Sequence, residues 1–308
     1  MVINTLTRRR FLVQSSRLGA AVQASIWLPR RALANPLGRP VGIQLYTVNL
    51  PMKEDPAGTL GTLRKIGFGE VETAGFGSLS AGQFRRLLDD AGLACPSAHL
   101  TFDMNNLGAA FADAHALGAQ FAASGSLHSL AGESKPAAAG PRPAMSPDEA
   151  KRTAEIANRI GAAAKRAGLQ YVYHNHDAEF ADQGGGVIGY DLLLRETDPD
   201  LVKFEIDCGW MIFAGRNPID YFKKFPHRFP MIHVKDFLAA RDTGAAAGGA
   251  AEMLGAELGR GQIDYKPIFA AARNAGLLHY FVEQEGPFSR MNQLQAARVD
   301  YDYLHSLG

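Results

Sequence analysis

The sequence predicts an eight-stranded parallel barrel, a (β/α)8 TIM barrel, over residues 35–308. Three observations lead there. Short β-rich apolar runs alternate with amphipathic stretches from Pro40 onward. There are eight such runs, spaced at roughly 34 residues per strand–helix unit, the size expected of this fold. Several of the amphipathic stretches end on a glycine that leads into the next run, as helices do when they hand over to a strand.

The strand candidates, in order, are Val41–Thr47, Glu70–Thr73, Cys95–Leu100, Gln120–Gly125, Gln170–His176, Val202–Asp207, Met231–Lys235 and Tyr280–Gln284. Helical periodicity is plain in Ala81–Ala91, Pro147–Ala167 and Tyr265–Ala275. Ser146-Pro147 is a helix start, and Gly67, Gly92, Gly168 and Gly276 are helix stops. An open doubly wound sheet is the competing architecture. It is disfavoured because the first strand runs into Val48-Asn49-Leu50-Pro51 without a glycine-rich phosphate loop. Two stretches depart from the rhythm, Ser126–Ser146 and Ala239–Leu258, rich in small residues and glycine. Both leave the C-terminal ends of strands, where barrel enzymes carry catalytic loops, and read equally as lids or as solvated insertions.

Residues 1–34 read as an address and not as part of the fold. Arg8-Arg9 within Thr7–Leu12 resembles the twin-arginine export motif, a weakly apolar stretch runs from Leu18 to Leu28, and Ala32-Leu33-Ala34 suits signal peptidase. Cleavage after Ala34 and a periplasmic location are therefore expected. With 46% hydrophobic and 20% charged residues the chain has ample material for a large core, and its formal net charge of +1 gives no electrostatic reason to expect nucleic acid or an anionic membrane as partner. No apolar run approaches the roughly 20 residues of a membrane span. Cys95 and Cys208 lie in apolar strand contexts and are expected as buried thiols without a disulfide.

The chemistry collects at the ends of the later strands. Strand five closes on His174-Asn175-His176, strand six on Glu205-Ile206-Asp207, strand seven on His233-Val234-Lys235 and strand eight on Glu283-Gln284-Glu285. Strand side chains alternate faces, so His174 with His176, Glu205 with Asp207, His233 with Lys235, and Glu283 with Glu285 share faces. If those faces point inward, ionisable groups from four adjacent strands meet at one mouth, an arrangement costing several kcal/mol per unpartnered group. One divalent metal ion would satisfy it. His174, Asp207, His233 and Glu283 form a mixed nitrogen–oxygen ligand set suited to Mn, Co, Fe, Zn or Mg, with His176 the alternative to His174.

Val41–Tyr46, Val71-Glu72, Ser97–His99, His174–His176, Ile206-Asp207, Ile232–Asp236 and Phe281–Gln284 together resemble the sugar phosphate isomerase/epimerase superfamily, the xylose-isomerase-like barrels, across essentially all of residues 40–305. The resemblance implies a divalent-metal-dependent enzyme acting on a small-molecule sugar, with ligands from strands five to eight. Two departures stand out. Family members commonly read Glu-Asn-His where this chain reads His174-Asn175-His176, and Asp-x-x-His where it reads Asp207-Cys208-Gly209-Trp210. The first removes the symmetric pair of glutamates of the epimerases, which tilts the expectation toward a lyase or isomerase. The second removes a histidine used by the nuclease branch. On this reading Glu283 is the base and Lys235 the acid or enediolate stabiliser. His99 and Glu72 serve as acid or hydroxyl ligands, while Gln44, His176 and Trp210 contact substrate, Trp210 by stacking. Glu205 sits behind the ligands, holding a ligand histidine or pairing with Lys235. Gly259-Arg260-Gly261 offers an anion perch. A metal-dependent hydrolase and a non-catalytic sugar-binding barrel are the competing classes, and self-association is left open.

Overall fold

The computed structural model describes residues 35–125, 127, 144–182, 184–238, 254–286 and 291–308. The expected leader, residues 1–34, and most of the two excursions lie outside these residues.

The eight expected strands are present: β1 Gly42–Gln44, β2 Glu70–Ala74, β3 Ala94–His99, β4 Phe121–Ser124, β5 Gln170–His174, β6 Val202–Asp207, β7 Met231–Val234 and β8 His279–Val282. All neighbouring pairs are parallel and the sheet closes, with β1 between β8 and β2. The principal helices are α1 Pro56–Ile66, α2 Ala81–Ala91, α3 Leu107–Leu117, α4 Pro147–Arg166, α5 Gly189–Glu196, α6 Pro218–Lys224, α7 Tyr265–Asn274 and α8 Gln293–Ser306. Among the described residues no helix is long and apolar enough to cross a membrane.

Local chemistry explains the boundaries. Ser80 with Gln83 and Ser146 with Glu149 form reciprocal capping boxes at the starts of α2 and α4. Gly67, Gly92, Gly168 and Gly276 all have positive φ, which is why the helix stops were readable. β1 is shorter than its apolar run suggested. Gln44 Oε1 accepts the N–H of Tyr46 at 3.0 Å and turns Leu45–Val48 into a 3-10 helix at the barrel rim.

The core has two parts. Most of it lies between strands and helices, where Val41, Ile43, Val71, Tyr171, Phe204, Ile232 and Tyr280 face the helix layer and are essentially inaccessible. A smaller cluster, Phe121, Ala123, Val172, Met231 and Phe281, fills the barrel interior. Below it His279 Nδ1 meets Glu70 at 2.8 Å. Above it Gln44, Glu72, Ser97, Glu205 and His233 form a buried polar layer. Cys95 and Cys208 are buried free thiols, as their contexts suggested.

Candidate active site

Register sets the site. In β5–β6, His174 pairs with Glu205, and in β6–β7, Asp207 pairs with His233. Alternation then carries Lys235 one step above His233 and Glu283 one step above Phe281 of the apolar plug. Asn175, facing away, stitches β5 to β6: its Oδ1 accepts the N–H of Asp207 at 3.2 Å and its amide donates to the Asp207 carbonyl at 3.4 Å. Tyr265 does the same for β7, its hydroxyl accepting the Lys235 N–H at 2.8 Å and donating to the Lys235 carbonyl at 2.6 Å.

The lower polar layer is a closed ring of two glutamates and two histidines. His233 Nε2 lies 2.6 Å from Glu72 Oε2 and 3.3 Å from Glu205 Oε1. His99 Nε2 lies 3.1 Å from Glu205 Oε2 and 3.3 Å from Glu72 Oε2. Gln44 and Ser97 donate to Glu72 at 3.0 and 2.5 Å. Glu72 and Glu205 are completely buried, and Gln44 is nearly so. Burial works against the charged form of Glu72, but His99 and His233 outweigh it and hold its carboxyl below the usual range.

The upper layer carries His174, Asp207, Lys235 and Glu283. Lys235 Nζ stands 2.9 Å from Asp207 Oδ2, 3.0 Å from Glu283 Oε2 and 2.6 Å from Glu285 Oε1. Those three carboxylates overcome burial and push the lysine above its ordinary range. Burial and the Glu283 charge lift Asp207 to about 6 in spite of Lys235 and His233. Burial lowers His174 well below its ordinary value, aided by His233 and His176, so its imidazole is neutral. Burial opposes a charge on His233, but Glu205 and Glu283 prevail and raise it.

Among the described residues, two four-donor groups have ligand atoms within 4.8 Å of one another: His174, Asp207, His233 and Glu283, and below it His99, His174, Glu205 and His233. The first is the set expected from sequence. Its donors fit a divalent cation on two structural grounds. Among the described residues, His174 Nδ1 is buried without a hydrogen-bond partner, with Glu205 Oε2 standing off at 3.7 Å, and Asp207 Oδ2 has none of hydrogen-bond geometry, with the Lys235 ammonium at 2.9 Å. Asp207 Oδ1 is already committed, capping the Cys208–Phe213 helix through the Trp210 N–H at 2.9 Å.

Other expected positions fall differently. His176 is in neither donor group; its ring lies 4.9 Å from that of His174. Glu72 and Gln44, expected to contact substrate, lie buried beneath the mouth: β1 ends at Gln44, short of its apolar run, and Glu72 stands opposite Gln44 in the β1–β2 register. Glu205 holds His233 and His99; Lys235 pairs instead with the carboxylates one layer up. The Trp210 ring, expected to stack on sugar, has the Lys235 ammonium 4.9 Å from its centroid, and its Nε1 donates to Glu285 at 3.3 Å. The amides of Gly259 and Gly261 hold an anion belonging to the chain itself, the Asp236 carboxylate, at 3.2 and 3.1 Å. Ser97 was given no role, and Glu285 was placed on the Glu283 face without one. Period two was the signal for both, since they stand two residues from His99 and Glu283. Tyr265, at a helix start, left no signal.

This chain belongs to the xylose isomerase-like TIM barrel family, whose profile matches residues 60–305. Within it, the chain is similar to the inosose dehydratase of Lacticaseibacillus casei, 30% identical over 173 residues that cover 53% of this chain and 56% of that protein. It is similarly related to the inosose dehydratase of Clostridium tetani, 31% identical over 189 residues, covering 55% and 58%. The matched segments thus span little more than half the length of these curated relatives. The crystal structure of a sugar phosphate isomerase/epimerase from Parabacteroides distasonis superposes with a TM-score of 0.68 at 26% identity, covering 87% of this chain and 94% of that one.

Proposed function

We propose that the protein is a divalent-metal-dependent lyase that dehydrates a keto-sugar or polyol ketone by removing the proton next to its carbonyl. The observation that carries this reading is the convergence of His174, Asp207, His233 and Glu283, with two buried donor atoms lacking a hydrogen-bond partner, at the C-terminal mouth of a closed barrel. The inosose dehydratase relatives support the lyase outcome over isomerisation or epimerisation.

His174, Asp207, His233 and Glu283 would hold the ion, which when bound supplies Lewis acidity toward the substrate carbonyl. The chain does the rest. The Glu283 side chain, 10% exposed, is the carboxylate of this set that reaches the mouth, and it takes the proton from the carbon beside the carbonyl. Lys235 is held in its charged form, so its part is to donate hydrogen bonds to the enediolate oxygen and not to surrender a proton. His99, 19% exposed on the opposite wall, delivers a proton to the departing hydroxyl. A C–H and a C–O bond break, a C=C bond forms and water leaves. Return of the proton to either carbon would instead give epimerisation or isomerisation.

The test is to incubate the protein with an inosose and other keto-polyols in D2O, with and without added divalent ions. Metal-dependent appearance of an unsaturated ketone is expected, and Glu283→Gln should lower its rate by about 10²–10⁴-fold. Undiminished activity in that variant, or full activity after exhaustive chelation, would overturn the proposal.

A further inference from the structure

We propose that Lys235 competes with the divalent cation for Asp207 and Glu283, and that the ammonium, already hydrogen-bonded to Glu285, gives up those two carboxylates when the ion binds and keeps Glu285 and the indole of Trp210 as its remaining berth. The inference rests on the metal reading above and goes beyond it by naming what sets affinity.

The two oxygens that Lys235 Nζ touches, Asp207 Oδ2 at 2.9 Å and Glu283 Oε2 at 3.0 Å, belong to residues of the four-donor group. A dication drawing on those carboxylates meets a positive charge already in place, and at such separations inside a protein the repulsion is large. Lys235 cannot escape to water, because the residue is only 1% exposed. Any displaced position must therefore keep a counter-charge, and the ammonium already touches one besides Asp207 and Glu283. Glu285 Oε1 is 2.6 Å from Nζ and is anchored by the Trp210 Nε1–H at 3.3 Å, while the indole face lies 4.9 Å away.

The main chain lets the ammonium move alone. Tyr265 pins both the N–H and the carbonyl of Lys235, leaving the four-carbon stem as the movable part. Gly209 gives that stem its passage: a Cβ there would stand 2.8 Å from Lys235 Cβ and 3.0 Å from Cγ. The berth sits on the solvent side, Glu285 being 30% exposed. Loading of the ion thus carries the lysine's donors toward the face where a sugar arrives, which orders ion before substrate.

The test uses the full chain with Trp27→Phe, so that Trp210 alone reports, and titrates Zn2+ by calorimetry and by tryptophan emission. Zinc is expected to change Trp210 emission in this parent. Lys235→Met should bind zinc at least tenfold more tightly without that emission change, and zinc should raise its Tm more than it raises the parent's. Glu285→Gln, which keeps the lysine and removes its refuge, should bind more weakly and lose the emission response. Equal or weaker zinc binding by Lys235→Met, or an unaltered emission response in Glu285→Gln, would overturn the inference. If parent and Lys235→Met alike fail to bind zinc, and manganese and magnesium too, the metal reading itself falls and takes this one with it.

Discussion

A single imidazole, His233, is gripped from both sides by carboxylates: Glu283 lies 3.1 Å from Nδ1 and Glu72 lies 2.6 Å from Nε2. Glu72 arrives from the far side of the barrel, on β2, and is itself fixed by Gln44 and Ser97. It orients the ring so that Nδ1 faces the upper donors. Glu72→Gln is therefore expected to weaken divalent-ion binding by about 10–100-fold, the usual cost of losing such an outer partner. Calorimetry against a far-UV dichroism control checks this, and unchanged affinity would remove Glu72 from the site.

Asp236 accepts backbone N–H groups from Phe237, Gly259, Gly261, Gln262 and Ile263, at 2.9–3.2 Å. One carboxylate thus folds the segment 257–263 back onto the end of β7. Asp236→Ala strands these donors, at a cost of about 1–3 kcal/mol for each one left buried and unsatisfied. Faster hydrogen exchange confined to residues 257–263, with a lowered Tm, is the expected signature.

Asp300 in α8 is completely buried, accepts among the described residues only the Leu258 N–H at 2.7 Å through Oδ1, and is pushed up to about 8 by burial. An unfolded aspartate titrates near 3.9. The folded state thus keeps its proton across the interval in which the unfolded chain loses it. The stabilisation is complete below about pH 4, declines as pH rises and is gone above about pH 8. Asp300→Asn should abolish this slope. Relative to the variant, wild-type stability in chemical denaturation is expected to fall from pH 4 to 8 and then level off; parallel profiles would refute the assignment.

Burial raises the Cys95 thiol to about 12 and Cys208 well above its ordinary range. Thiolate is the reactive form, so neither residue should react with a disulfide reagent in the native protein, and both should react in denaturant.

The expected leader carries its own prediction. A cell expressing the full chain should place it in the periplasm, and the double change Arg8→Lys, Arg9→Lys should retain it inside; fractionation decides.

Much of this was legible in the sequence because the barrel repeats. Eight apolar runs with glycine stops gave the strand order, and period two put His174, Asp207, His233 and Glu283 on inward faces. Height along the barrel axis was not legible. It depends on where each strand stops, and β1 stops at Gln44 because its own side chain caps the next turn. Gln44, and Glu72 opposite it in the β1–β2 register, lie in a layer that alternation alone does not reveal. Pairing across the barrel was hidden for the same reason: Glu72 and His233 are 161 residues apart and belong to strands that are not neighbours in the sheet. The preference of Lys235 for Asp207 and Glu283 over Glu205 likewise follows from height.

The ring of Phe121, Ala123, Val172, Met231 and Phe281 makes the cylinder a cup and not a pipe. On the proposed dehydration, reactant, product and the water removed would share one doorway above this plug. The water would have no drain below and would have to pass the newly formed product on its way out, so the order of departure would be imposed by the vessel as much as by the chemistry within it.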